Sequence, residues 1–247
     1  MTKGLKYGLG VIALVVLVAS WSGFRLYQEL NKRWSEDPLV WEADISALEK
    51  TTQTTPDLEN TVVFVGSSSI RFWDTLTKDM APITVIRQGF GGAKLNDLVH
   101  YAERIVTNYQ PSAVVVFAGS NDLTPGDTKP PEQLLASYQE FVARVRAENS
   151  GLLIYYIAIT PSPRRWEVWR IAQAANALIE EYINNTPGLF YLDTGPALMG
   201  DDGLPDTDNY LFDKVHLSEE GYKKWTSIIR PRLIEDLPPY AKAERRE

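Results

Sequence analysis

The stretch VVFVGSSSIRFW at residues 62–73 decides the fold class of this 247-residue chain. Its first half is apolar without alternation, which is typical of a central parallel strand covered by helices on both faces. Gly66 ends the apolar run and three serines follow, so we expect a sharp turn into a helix. Because α/β sheets bind ligands at the carboxyl ends of their strands, a serine in this turn is a candidate nucleophile. The alternative is a serine that only caps a helix.

The same strand–helix pattern repeats along the rest of the chain. Strands are predicted at 61–66, 83–86, 113–118, 152–159 and 189–192. Helices are predicted at 95–109, 132–149, 166–184 and 218–231, the last ending at Pro231. This alternation predicts an α/β fold, a three-layer sandwich with a five-stranded parallel sheet at 61–238. Right-handed crossovers place all strand carboxyl ends on one edge, so GSSS at 66–69, GFGG at 89–92 and GSND at 119–122 should meet there.

The first thirty residues form a separate segment. Residues 7–24, YGLGVIALVVLVASWSGF, carry no charge, and as a helix they rise about 27 Å, enough to cross a bilayer core. We favour a single-pass transmembrane helix with an extracytoplasmic domain, periplasmic or extracellular. Secretion after signal cleavage near Ala19 and a buried soluble helix are the alternatives. Residues 31–60 are predicted as a linker with a packing helix that Asp37-Pro38 opens.

Composition restricts the function further. The net charge is −7 and the chain contains no cysteine. An acidic chain without a basic stripe argues against a nucleic-acid partner, and the missing cysteines exclude disulfides and thiolate catalysis. Oligomeric state is left open.

A serine nucleophile needs a base, and the chain has only two histidines. His100 lies within a predicted helix, where a surface or packing role is expected. His216 follows Asp213 by three residues, so within one turn the carboxylate can reach the imidazole ring and fix its tautomer. A loop pair without a catalytic role is the alternative. Because His216 follows the last predicted strand, it is expected on the same edge of the sheet as Ser68.

Acyl transfer also needs donors for the oxyanion that forms. The N–H of Gly92 can approach a substrate closely because no side chain blocks it. Asn121 offers a side-chain amide, and Ser68 offers its own backbone N–H. Each of these residues also has an ordinary structural explanation, a glycine loop or a turn asparagine.

Taken together, GSSS, GFGG, GSND and DKVH at 213–216 resemble, in order and spacing, the SGNH hydrolases, the GDSL-type esterases and lipases. The similarity covers about residues 40–235. It implies a flavodoxin-like fold, Ser68 as nucleophile, Asp213 and His216 as acid and base, and Ser68, Gly92 and Asn121 as the oxyanion hole. It implies no metal and no organic cofactor.

Two positions depart from that pattern. Ser67 stands where the family usually has aspartate, as in a GSSSIR-containing subgroup, which leaves Ser67 and Ser69 as alternative nucleophiles. Arg87 stands where asparagine is frequent, and it either changes the charge of the site or points away.

Residues 164–166, Arg-Arg-Trp, are either a substrate mouth or an ordinary helix start. An acidic segment is interpreted as a solvated loop rather than a calcium site, because its spacing is not that of an EF-hand; it comprises Asp201, Asp202, Asp206 and Asp208.

The expected function is therefore a membrane-anchored serine esterase. Its substrate is predicted to be a lipid or lysophospholipid ester, or an O-acetylated carbohydrate. An SGNH-type O-acyltransferase acting on a cell-envelope glycan is one alternative, and a catalytically inactive membrane-tethered binding domain is another.

Overall fold

A computed structural model describes residues 15–23, 31–32, 34–52 and 61–237. The chain divides into two compact units between Val40 and Trp41. In the first unit, residues 15–23 are helical and exposed. No helix within the described ranges is both long and apolar enough to cross a membrane. Residues 7–14 and 24 of the predicted anchor lie outside those ranges, as do the predicted loop at 53–60 and the charged tail, so the anchor stays a prediction.

The second unit is built on a five-stranded parallel sheet, as predicted. Its strands are β1 (Val62–Gly66), β2 (Val85–Gly89), β3 (Ala113–Phe117), β4 (Leu153–Ile157) and β5 (Leu189–Leu192). The strand order is β2-β1-β3-β4-β5, and all neighbours are parallel. This is the order of flavodoxin-like folds. Their ligand crevice opens between β1 and β3, where the order in which strands are added to the sheet reverses.

Helices cover both faces of this sheet. They are α1 (Glu42–Thr52), α2 (Leu95–Ile105), α3 (Pro131–Val145), α4 (Trp169–Asn184) and α5 (Glu219–Asp236). Phe64 and Val115 point to one face, where they share a core with Trp225 of α5. On the other face Tyr156 of β4 meets Tyr138 of α3, with ring centroids 4.8 Å apart. Because both faces are covered, every residue of β1 and β3 is buried, which explains their unbroken apolar runs.

Shorter elements carry the loops. One-turn helices span Ser68–Arg71 and Leu76–Asp79, and a small hairpin pairs Leu123–Thr124 with Asp127–Thr128. The 3-10 segments in the described residues are Pro38–Trp41, Thr107–Tyr109, Ser120–Asp122, Pro163–Val168, Pro196–Leu198 and Thr207–Asn209.

Several predicted boundaries differ from the observed ones by a few residues, and two of these differences have a clear physical cause. The last helix does not end at Pro231 but continues to Asp236. Leu233 and Ile234 beyond the proline are buried, and their burial offsets the hydrogen bond that the proline cannot make. The second strand runs through Arg87 and Gln88 rather than over residues 83–86. In this edge strand Arg87 is exposed, whereas Gln88 is buried and donates to the Thr52 hydroxyl at 2.8 Å. A search for apolar runs misses both residues.

Candidate active site

The turn after β1 positions the predicted nucleophile. Gly66 has a φ of +154°, and a Cβ there would lie 2.1 Å from the Phe117 carbonyl oxygen, so only glycine fits. The Ser67 N–H donates to the same carbonyl at 3.0 Å. The Ser67 carbonyl then accepts the N–H of Ile70 and begins the short helix. Ser68 therefore occupies the first position of that helix, at the carboxyl edge of the sheet.

The turn that carries the histidine is folded around the Asp213 carboxylate. Oδ1 of Asp213 accepts the backbone N–H groups of Val215 and His216, both at 3.0 Å. Oδ2 lies 2.5 Å from Nδ1 of the His216 ring. The Leu211 N–H closes the loop by donating to the His216 carbonyl at 2.8 Å. One carboxylate thus fixes both the backbone of the turn and the orientation of the imidazole.

The structure places this imidazole against Ser68. Nε2 of His216 lies 2.8 Å from the Ser68 hydroxyl oxygen. Because Nδ1 faces a carboxylate, the proton of the neutral ring belongs on Nδ1 and Nε2 accepts the hydroxyl proton. Phe72 packs edge-on against the same ring, with centroids 4.9 Å apart. Of the three adjacent serines, Ser68 is therefore the one in contact with a base.

The electrostatics of the pair suit this arrangement. Burial alone would raise the pKa of Asp213, but hydrogen bonds from the Val215 N–H, the His216 ring and the His216 N–H outweigh it and hold that pKa below its usual value. The carboxylate therefore stays ionised at neutral pH. An ionised Asp213 can stabilise the imidazolium that forms when His216 takes a proton.

The predicted oxyanion donors lie on loops that are tied to this turn. The Phe90 N–H donates to the Gly66 carbonyl at 3.0 Å, and Nδ2 of Asn121 donates to the Ala93 carbonyl at 3.0 Å. These bonds join the loops after β1, β2 and β3. Within the part of the chain that the structure describes, the N–H groups of Ser68 and Gly92 make no hydrogen bond. Both are thus available as donors, and Gly92 has a φ of +82°.

Other residues singled out in the sequence lie outside this hydrogen-bonded row. His100 is exposed on α2 and packs edge-on against Tyr101. Arg87 forms an ion pair with Asp74 at 2.8 Å, which offsets its charge. In the acidic loop, Asp202 and Asp206 accept backbone N–H groups of their own turns.

Two functional contacts were missed by sequence reasoning. Asp122, the last residue of GSND, is buried and accepts the Leu95 N–H at 3.1 Å, which anchors the start of α2 to the asparagine loop. Arg165 is predicted only as part of a substrate mouth or an ordinary helix start, yet it hydrogen-bonds Asn121 directly. A buried acidic residue beside a motif asparagine was a usable signal for the first contact, whereas no local pattern points to the second.

A small cavity of about 30 Å³ opens beside Ser68. Its lining is largely apolar. The polar lining groups are the hydroxyls of serine and threonine residues and the guanidinium of Arg165. The apolar side chains that line it include Leu123, Ile159, Val168, Trp169 and Ala172.

A serine, a histidine and an aspartate in a hydrogen-bonded row, on the carboxyl edge of a flavodoxin-like sheet, define a serine hydrolase class of protein. The comparison with protein families agrees. The chain belongs to the GDSL-like Lipase/Acylhydrolase family, whose model matches residues 53–224. It is therefore a hydrolase that acts on ester bonds.

Solved structures show the same fold at low sequence identity. A Streptococcus pneumoniae protein named for platelet activating factor superimposes with a TM-score of 0.69 at 16% identity, covering 85% of this chain and 99% of that one. A GDSL-like lipase from Bacteroides thetaiotaomicron superimposes with a TM-score of 0.63 at 20% identity, covering 81% of this chain and 98% of that one. An acetyl xylan esterase from Geobacillus stearothermophilus superimposes with a TM-score of 0.59 at 15% identity, covering 71% of this chain and 94% of that one. No curated protein matches the chain.

Proposed function

We propose that this protein hydrolyses short-chain carboxylic esters through an acyl-enzyme on Ser68. The observation that carries the proposal is the row of contacts from Asp213 through His216 to the Ser68 hydroxyl, at 2.5 and 2.8 Å. A serine hydroxyl becomes an effective nucleophile when an oriented base takes its proton, and this row supplies both the base and its orientation.

The reaction proceeds in two halves. The Ser68 oxygen attacks the ester carbonyl carbon while Nε2 of His216 takes the hydroxyl proton. The N–H groups of Ser68 and Gly92 and the free Nδ2–H of Asn121 hold the oxyanion. The carbon–oxygen bond to the alcohol breaks, and His216 returns the proton to the leaving alcohol. His216 then takes a proton from a water molecule that attacks the acyl-enzyme. The bond between the acyl carbon and the Ser68 oxygen breaks, and His216 returns the proton to that oxygen as the acid leaves.

The size of the cavity favours an acetyl group. A cavity needs about 10–15 Å³ to hold one water molecule, so about 30 Å³ accommodates two or three water-sized groups. A methyl and a carbonyl fill that space, whereas a long acyl chain does not. The acetyl xylan esterase among the structural neighbours acts on an acetyl ester, which agrees with this proposal. An O-acetylated carbohydrate is therefore our preferred substrate class.

A lipid ester is the second candidate, and one observation favours it. Phe72 beside His216 is exposed, and Leu211 and Phe212 on the histidine loop are also exposed, Phe212 almost fully. An acyl chain leaving the site over these side chains would not need the cavity. The two candidates differ in the chain length that the enzyme prefers.

Labelling with a fluorophosphonate, followed by mass spectrometry of the modified peptide, tests the nucleophile. We expect modification at Ser68, and loss of labelling and of p-nitrophenyl acetate hydrolysis in Ser68→Ala. The matched controls Ser67→Ala and Ser69→Ala should retain labelling. Modification of another serine would overturn the assignment of Ser68. A folded wild-type protein that does not react at all would support the inactive binding domain.

Acyl chain length tests the substrate class. We expect acetate esters to be cleaved at least about tenfold more efficiently than octanoate esters, because extra methylenes do not fit. Trp169→Ala opens the cavity and should shift the preference toward octanoate. Trp166→Ala is the matched control, since Trp166 stacks on Trp169 without bordering the cavity. Equal efficiency on both esters in the wild type would favour the lipid candidate. Acetyl transfer to an added sugar in preference to water would identify an acyltransferase.

The location of the enzyme is a separate proposal, supported only by the uncharged stretch at 7–24. We propose that this stretch tethers the protein to a membrane with the catalytic unit on the extracytoplasmic side. The full chain should remain in the membrane fraction after an alkaline wash, and an external protease should reach the catalytic unit. A secreted chain that begins near Ser20 would instead identify a cleaved signal peptide.

A further inference from the structure

The segment after β4 brings an arginine onto the asparagine loop. Arg165 lies in the 3-10 segment Pro163–Val168. One terminal nitrogen of its guanidinium donates to the Ser120 carbonyl at 2.7 Å, and the other donates to Oδ1 of Asn121 at 2.8 Å. A planar guanidinium holds two acceptors in a fixed geometry, so it fixes the backbone and the side chain of this loop together.

The second half of the Asn121 amide is also engaged. Nδ2 donates one of its two hydrogens to the Ala93 carbonyl at 3.0 Å. Rotating the amide by half a turn would set its NH₂ against the Arg165 donors and its oxygen against the Ala93 carbonyl. Both contacts would then be repulsive, so Arg165 determines which atom of the amide stays on the Ala93 side. The remaining Nδ2–H is thereby held in one direction.

The charge of Arg165 adds a second effect. A cation that binds the amide oxygen draws electron density from the nitrogen, which makes the remaining N–H a stronger donor. A stronger, pre-oriented donor stabilises a developing oxyanion more than it stabilises the neutral carbonyl of the substrate. The contribution of Arg165 should therefore appear in the chemical step rather than in substrate binding.

We propose that Arg165 is a positioning residue of the oxyanion hole, which acts on the reaction through Asn121. This inference rests on the proposed function. The competing explanation is direct substrate binding, because Arg165 also borders the cavity beside Ser68. The two explanations differ in whether Arg165 still matters once Asn121 is gone.

A double-mutant cycle on the full chain tests this dependence. The variants are Arg165→Met, Asn121→Ala and the two combined, measured by kcat and KM for p-nitrophenyl acetate and by the rate of fluorophosphonate labelling. Arg165→Met should lower kcat by about 10- to 100-fold with little change in KM, part of the 10²–10³-fold loss expected for Asn121→Ala. The combined variant should be no more than about threefold worse than Asn121→Ala alone. Arg165→Lys, which keeps the charge without the fork, should fall between Arg165→Met and the wild type.

Controls and contrary outcomes follow from the same cycle. Arg170→Met removes an exposed arginine of α4 that does not border the cavity, and it should leave kcat unchanged. A loss that is as large in the Asn121→Ala background as in the wild type, or a loss confined to KM, would overturn the proposal. If Arg165→Met unfolds, the cycle is run with Arg165→Lys, and the same additivity would overturn it. Activity retained in Ser68→Ala would instead contradict the proposed function itself.

Discussion

Changing Asp213 to asparagine is the sharpest test of the proposed base, because the structure dictates how the new amide must sit. Oδ1 of Asp213 accepts two backbone N–H groups, from Val215 and His216. The amide oxygen must keep these bonds, so the NH₂ group faces Nδ1 of the imidazole. Nδ1 must then accept, and the ring proton moves to Nε2, which faces Ser68. In this tautomer His216 cannot take the serine proton.

The size of the effect follows from the same contacts. Turning the amide around would leave two backbone N–H groups facing an NH₂, at a cost of about 1–3 kcal/mol each. The orientation that restores the productive tautomer is thus disfavoured by about 2 kcal/mol or more, a population of about one in 30 or less. Loss of the negative charge removes stabilisation of the imidazolium as well. We expect kcat to fall by at least about 30-fold and as much as about 10⁴-fold.

Hydrolysis of p-nitrophenyl acetate gives kcat, and nitrogen-15 NMR of the histidine ring reports the tautomer. Thermal unfolding should change little, because the backbone hydrogen bonds of the turn survive. Asp201→Asn, in an exposed loop, is the matched control and should keep full activity. A folded Asp213→Asn variant with kcat within about threefold of the wild type would refute the reasoning, since the amide orientation that restores the base has a population of about one in 30 or less.

Two further predictions concern the fold. Burial, reinforced by the negative charge of Asp122, raises the pKa of Asp97 to about 6, compared with 3.8 in the unfolded chain. Between pH 3.8 and about 6 the folded state therefore keeps a proton on Asp97 that the unfolded state loses. The stability advantage of the wild type over Asp97→Asn should therefore shrink by at most about 3 kcal/mol as pH rises from 4 to 7, as measured by urea unfolding; a pH-independent difference would contradict this. Gly66→Ala should cost about 3 kcal/mol or more, because its Cβ would lie 2.1 Å from the Phe117 carbonyl. Gly126→Ala, with a φ of +87° and open space around it, should cost only about 1–2 kcal/mol, and equal losses would show that the clash does not matter.

The central strands were predictable because burial on both faces leaves a plain signature. β1 and β3 are continuous apolar runs, and their order along the chain placed the motif loops on one edge. The edge strand β2 was shifted because Arg87 and Gln88 belong to it. The extension of α5 beyond Pro231 was missed because it depends on the burial of Leu233, a tertiary contact that has no local signal.

The motifs of the site were predictable, and the resemblance favours Ser68 as the nucleophile, but the residues alone leave Ser67 and Ser69 as alternatives. Three consecutive serines are equivalent in composition, and only the start of the short helix distinguishes them. The Ser67 carbonyl begins that helix, so the side chain of Ser68 meets His216. Arg165 contacts Asn121 from 44 residues away along the chain, through a loop whose course the sequence does not specify.

The segment at 161–165 connects the two halves of the site. The Pro161 carbonyl accepts the Tyr210 hydroxyl, and the Arg164 N–H donates to the Lys214 carbonyl at 3.2 Å, so the histidine loop is bound to this segment. One residue further, Arg165 holds Asn121. The base and the oxyanion donor are therefore positioned from the same short stretch of backbone. Movement of this segment would disturb proton transfer and oxyanion stabilisation together, which explains why a loop without motif residues belongs to the catalytic architecture.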